Sequence, residues 1–169
     1  RKHCFNNKRD KMNYKKTIGK IEEYGEKKTR KLSDLKDNFK DKKELREILE
    51  KRNPVIYETF TKSFSPINLT LTVVNPGDFH GEFYLTKGHV HKKKTPEFYV
   101  LLEGSGNLFI QKGIIIKTIE MNKGEIALIP QGYAHRIINT GKNKLKVLSI
   151  YHENSMPDYN VKFKRRFFR

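Results

Sequence analysis

The feature that most constrains this chain is a change of apolar period at Asn53-Pro54. Before it, Leu45, Ile48 and Leu49 recur at i, i+3 and i+4, behind a D-x-x-E start formed by Asp41 and Glu44. That spacing predicts one short helix. Pro54 ends it, because the residue before a proline avoids the α region. Beyond Pro54 the period becomes two. Val55–Phe60, Asn68–Val74, Glu82–Thr86, Glu97–Glu103, Asn107–Gln111, Ile114–Ile119, Glu125–Ile129, His135–Asn139 and Leu145–Tyr151 all read as short strands. Turn signals separate them, among them Asn75-Pro76-Gly77, Gly104-Ser105-Gly106, Asn122-Lys123-Gly124 and Pro130-Gln131-Gly132. Strands this short and this evenly spaced predict a sandwich or small barrel. No repeat of solenoid length is present.

The 169 residues suit one core-bearing domain. No run of about 18 apolar residues exists, which excludes a helical membrane span. The basic opening, Arg1 to Asp10, lacks the apolar stretch of a signal peptide. The single cysteine, Cys4, can form no internal disulfide and is read as a bystander in a reducing, cytoplasmic setting. The net charge of +17 is unevenly spread. Residues 1–53 carry +9, residues 54–161 only +3, and residues 162–169 carry +5. The expected organisation is a disordered basic arm over 1–19, a folded domain over 20–161, and a basic tail over 162–169. The tail's Phe163, Phe167 and Phe168 could form a final edge strand or pack on a partner. Charged ends of this kind can attract nucleic acid. No recognisable binding module accompanies them, so they are read as solvated surface and no specific nucleic-acid partner is expected.

Four residues carry the chemistry. His89 and His91, two apart in an extended segment, face the same side and can reach one ion. Glu97 opens the next strand and His135 a later one. Three imidazoles and a carboxylate suit Fe, Mn, Ni or Zn, and four protein ligands leave octahedral positions open for catalysis. Glu97 is the nearest carboxylate for proton transfer and Tyr151 the second candidate. The spacing is what makes the cluster specific. Gly124 to Asn139 reads G-x5-P-x-G-x2-H-x3-N, and His89 to Gly104 reads H-x-H-x5-E-x6-G. These resemble the two motifs of the cupins. The resemblance implies an all-β cupin jelly-roll barrel, here with a short helical N-terminal extension.

A narrower resemblance runs through residues 20–160. The stretches R-K-L-S-D at 30–34, N-P-V-I-Y-E at 53–58, N-P-G at 75–77 and F-Y-L-T-K-G-H-V-H at 83–91, with I-Y…D-Y over 150–159, are similar to the archaeal cupin-type phosphoglucose isomerases. That family interconverts glucose 6-phosphate and fructose 6-phosphate as a homodimer with a divalent metal, often iron. By position, the resemblance implies metal ligands His89, His91, Glu97 and His135. It also implies sugar and phosphate contacts from Tyr57, Thr72, Thr86, Gly88, Tyr99, Tyr151 and Tyr159. Lys87 adds a charge but alternates away from the ligand side. Fe²⁺ is the expected ion, with Ni²⁺, Mn²⁺ or Zn²⁺ as substitutes. In the dimer, strands near the N-terminus are expected to pair with, or pack on, the partner. Three departures stand out. Pro157 replaces a histidine, Leu71 replaces a threonine beside Thr72, and the Lys92-Lys93-Lys94 loop is one residue short. The alternatives are a non-catalytic cupin that binds a sugar phosphate or metal, and an isomerase of another phosphosugar. A cupin dioxygenase is a further alternative, against which the Thr86-Lys87-Gly88-His89 segment argues.

Overall fold

The computed structural model describes residue 19 and residues 21–169. Residues 1–18 of the expected basic arm, Cys4 among them, lie outside the described residues. The expected helix forms as α1 (Lys42–Lys51), with the Asp41 carboxylate accepting from the Lys43 and Glu44 N–H groups. Glu44 does not complete the reciprocal cap. It turns instead to His80, with Nδ1 2.7 Å from Oε2.

The strands are β1 (Glu26–Lys31), β2 (Val55–Phe64), β3 (Ile67–Val74), β4 (Asp78–Phe79), β5 (Glu82–Phe83), β6 (Val90–His91), β7 (Glu97–Glu103), β8 (Gly106–Lys112), β9 (Ile115–Met121), β10 (Ile126–Ile129), β11 (Ala134–Asn139), β12 (Leu145–His152) and β13 (Pro157–Asp158). They form a six-stranded sheet in the order β1-β2-β3-β12-β7-β10 and a three-stranded sheet in the order β11-β8-β9. Two short ribbons, β4-β5 and β6-β13, accompany them. Side chains from both sheets, including Val74, Leu101, Leu108, Ile137 and Val147, make the buried core between them. The strand spacing predicts a sandwich or small barrel, the cupin resemblance implies a jelly roll, and this two-sheet arrangement agrees with both.

Two differences from the sequence reading have clear causes. Strand β1 has no apolar alternation in Glu-Lys-Lys-Thr-Arg-Lys and is mostly exposed. It exists because it completes the edge beside β2, a tertiary effect. The expected strand Glu82–Thr86 is ladder-paired only at Glu82–Phe83. The chain then runs along β11 through single bridges, Leu85 to Ile138 and His89 to His135. Gly88, at φ +75°, interrupts regular pairing between them.

The C-terminal residues are not a free tail, and they pack on their own chain. The Phe83 N–H donates to the Phe167 carbonyl at 2.9 Å. Buried Phe167 joins Leu85, Phe109 and Ile138 on the outer face of the small sheet. The outer face of the large sheet carries a separate cluster of Ile21, Phe60, Leu71 and Val73. Leu71 therefore points away from the interior. Among the described residues, no helix is long and apolar enough to cross a membrane.

Candidate metal centre and adjoining pocket

The inward face of the large sheet changes character along its strands. On β3 it reads Asn68, Thr70, Thr72, then Val74. On β7 it reads Glu97, Tyr99, then Leu101. On β12, read backwards, it is Tyr151, Ser149, then Val147. Period-two alternation keeps each set on one face, so one end of the space between the sheets is polar and the other is core. The polar end is a cavity of about 350 Å³.

The four predicted ligands meet at this end. Glu97 comes from β7 of the large sheet and His135 from β11 of the small one, while His91 comes from the short strand β6, which precedes β7, and His89 from the residue just before it. Their donor atoms all lie within 4.8 Å of one another. The Nε2 atoms of His135, His91 and His89 are 2.8, 3.2 and 3.9 Å from Glu97 Oε2. His91 Nδ1–H donates to the Thr95 carbonyl and His135 Nδ1–H to the Tyr133 carbonyl, both at 3.1 Å. Those bonds select the tautomer whose Nε2 carries a free lone pair. Thr95, which sequence reading did not single out, is in turn held by Ser155 Oγ at 2.9 Å.

The donor set fits a divalent cation. Glu97 Oε2 and His135 Nε2 are buried and have no hydrogen-bond partner among the described residues. Two buried acceptors facing each other are costly unless a cation lies between them. Burial alone would raise the Glu97 carboxyl, but a proton or positive charge on the facing imidazoles, His135 first and then His91 and His89, holds it well below the usual carboxylate range, and a bound cation would take that place. Burial, reinforced by His135, pushes the His89 imidazole down to about 3, which keeps it neutral and able to ligate.

All the predicted contact residues except Lys87 line the pocket. Tyr57, Thr72, Thr86, Gly88, Tyr99, Tyr151 and Tyr159 surround the same cavity as His89, His91 and Glu97. The Thr86 hydroxyl accepts from the Ile137 N–H at 3.0 Å, which leaves its own proton to donate. Tyr151 Oη lies 2.9 Å from Thr70 Oγ1, which lies 2.8 Å from Thr61 Oγ1. Burial pushes the Tyr99 phenol well above its ordinary range and the Tyr57 phenol in the same direction. Gly88 is required for a reason beyond substrate access. Its φ is +75°, and a Cβ there would sit 2.6 Å from the Phe163 ring and 2.8 Å from the His135 carbonyl.

Of the departures, Leu71 does not reach the pocket, since Thr70 and Thr72 face it from either side. Pro157 does line it, beside His91, with which it pairs on β6-β13. Sequence reading missed Lys28. It sits on β1 opposite Thr59, which in turn sits opposite Thr72, so the three form one rung across the sheet. Apart from the histidines, Lys28 is the one cationic residue lining the cavity among the described residues. Without a prediction of β1, nothing marked it.

A two-sheet jelly roll with three imidazoles and a carboxylate converging at its open end is a cupin. A cupin-2 domain from Rhodospirillum rubrum shares that fold, with a TM-score of 0.51 at 12% identity over 63% of this chain and 67% of that chain. The family described as "Glucose-6-phosphate isomerase (GPI)" matches residues 29–169. The glucose-6-phosphate isomerase of Pyrococcus abyssi is 35% identical over 145 residues, covering 82% of this chain and 76% of its own. That of Thermococcus litoralis is 34% identical over 164 residues, covering 89% and 86%. The chain belongs to the glucose-6-phosphate isomerase family, in its archaeal cupin-type branch.

Proposed function

We propose that this chain interconverts glucose 6-phosphate and fructose 6-phosphate with a divalent ion, Fe²⁺ first among the candidates. The observation that carries this is the pocket of a chain in this family, which joins the ligand cluster, on the rung of Glu97, Tyr151 and Asn68, to the rung of Lys28, Thr59 and Thr72 four residues further along β3. Such an ion, held by His89, His91, Glu97 and His135, would supply Lewis-acid polarisation of the sugar oxygens.

The chain's own residues do the rest. Thr72, Thr86, the Gly88 N–H, Tyr57 and Tyr159 bind the phosphate through hydroxyl and backbone donors. Fixing the phosphate sets the position of C1 and C2, a contribution that can reach several kcal/mol of the barrier. Glu97 Oε2 faces all three histidine Nε2 atoms, which leaves Tyr151 the better placed of the two groups for moving the proton. The Tyr151–Thr70–Thr61 hydroxyl chain orients the phenol and offers a path for its proton. The metal-loaded protein should turn over fructose 6-phosphate in a coupled assay, and Tyr151→Phe should lose at least tenfold in kcat with the metal retained.

Pro157 supports a second reading, since its ring offers the pocket neither a donor nor a titratable group. In that reading a different phosphosugar is the substrate. Full metal occupancy with no turnover of either hexose phosphate would exclude the first reading and favour the second. We propose also that the working unit is a homodimer located in the cytoplasm.

A further inference from the structure

Behind the Lys87-Gly88 segment lies a second cavity, of about 530 Å³, which shares only Tyr159 with the pocket described above. Five cationic side chains line it: Lys87, Arg136, Lys162, Arg165 and Arg166. Asp37 is the one acidic residue lining it among the described residues. Asp37 is 3.6 Å from Lys42. Arg166 is matched by Glu82, whose carboxylate accepts from Nη1 at 3.0 and 3.3 Å. Lys87, Arg136, Lys162 and Arg165 have no carboxylate within ion-pair distance among the described residues.

Arg136 makes this more than a basic surface. It is 4% exposed, its Nε has no hydrogen-bond partner among the described residues, and Nη2 reaches only the Lys87 carbonyl at 3.2 Å. The Phe163 ring covers the guanidinium at 3.6 Å. A buried cation with one carbonyl and one ring beside it, and Glu82 acting on it only from beyond ion-pair distance, is costly, and strand β11 holds it there rather than releasing it to water. Lys162 and Arg165 line the same space from the C-terminal segment, and Lys87 from the segment before His89. The cations thus come from three parts of the chain, and one small anion placed among them would neutralise several at once.

We propose that this second cavity is a binding site for a phosphoryl dianion, separate from the sugar pocket and formed by Arg136, Lys87, Lys162 and Arg165. A dianion suits it better than a carboxylate, because four cations stand unmatched and the guanidinium presents paired donors to tetrahedral oxygens. The site does not depend on the isomerase reading, because it uses neither the metal ligands nor the hydroxyl rung.

The test is an NMR titration of the full-length, Zn²⁺-loaded protein with inorganic phosphate, observed through the arginine Nε–H resonances. Arg136 and Arg165 line the second cavity and not the sugar pocket, so their signals report on the second cavity, while Arg30, beside Tyr57, reports on the first. Arg136 and Arg165 should shift together and saturate with one Kd, and acetate should bind at least tenfold more weakly. The Lys162→Ala/Arg165→Ala double variant alters exposed side chains, and the Arg136 signal in it should need at least tenfold more phosphate. Lys142→Ala/Lys144→Ala, which removes the same charge from another exposed segment, should leave the Kd within twofold. The proposal is overturned if the shifts fail to saturate, if acetate binds as well as phosphate, or if both double variants weaken binding equally.

Discussion

His135 holds its position from three directions. Its strand pairs with β8, its backbone bridges to His89, and its Nδ1–H is tied to the Tyr133 carbonyl. Its replacement by Ala should remove a ligand while leaving the strand intact. Metal content by elemental analysis should fall from near one per chain to a small fraction, since removing ligand-shell groups costs metal sites heavily. Unchanged content would show that the ion binds elsewhere. Lys28 supports a second expectation. Lys28 is the one cation besides histidine lining the pocket among the described residues; it stands on the rung of Thr59 and Thr72, 3.0 Å from Glu26, and should exchange that carboxylate for the substrate phosphate. Lys28→Met should raise KM for fructose 6-phosphate about tenfold, roughly 1.4 kcal/mol, with kcat little changed. Steady-state kinetics on the metal-loaded variant decide this, and an unaltered KM would remove Lys28 from the phosphate end. The four clustered residues were legible in the sequence because each half of the set sits in a short motif of recognisable residue types and spacing. Lys28 was not, because its role depends on an edge strand with no pattern of its own.

At the scale of elements, the C-terminal segment behaves as a strap. Phe167 is 7% exposed and stacks edge-on against Phe109 at 5.2 Å between ring centres. The Lys164 N–H donates to Gln111 Oε1 at 2.8 Å, and the Arg169 Nε lies 2.9 Å from Asp78. Phe167→Ala should therefore cost about 3 kcal/mol of stability, the usual scale for emptying a buried aromatic site. Urea denaturation would measure this, and a loss below about 0.5 kcal/mol would show the segment to be loosely held. Reading the run as a basic tail weighed its charges and left its ring positions open. The rings decide its place, because the small sheet has an apolar outer face that needs a cover. The short helix, by contrast, was readable apart from the turn of Glu44 toward His80. Its cap, its apolar face and its stop all lie within a dozen residues of one another.

At the scale of the molecule, β10 forms one edge of the large sheet and carries Ile126 and Leu128, which are 68% and 52% exposed. Leu128 lies opposite Phe98 on β7, itself 41% exposed. An apolar edge of this kind is a template for association unless it is covered. The homodimer proposed above would cover it, which places the contact on β10 and β7 as well as the N-terminal strands expected from sequence. Multi-angle light scattering should give twice the chain mass across micromolar concentrations, and Leu128→Asp should shift the population toward monomer. A monomer at all concentrations in the parent protein would end the dimer proposal.

The sequence by itself carried the all-β class, the helix-to-strand change at Pro54 and the four residues of the candidate metal cluster. The first two rest on periodicity within short windows, where side-chain direction follows from backbone geometry alone, and the third on the spacing of two motifs that resemble those of the cupins. Tertiary structure decided the rest. It turned Leu71 away from the pocket, recruited Lys28 through β1, folded the C-terminal aromatics back onto the small sheet and enclosed Arg136 beneath Phe163. These are contacts between residues far apart in the chain. They are settled by which apolar faces need covering and which edges need pairing, and those requirements arise only once the two sheets have come together.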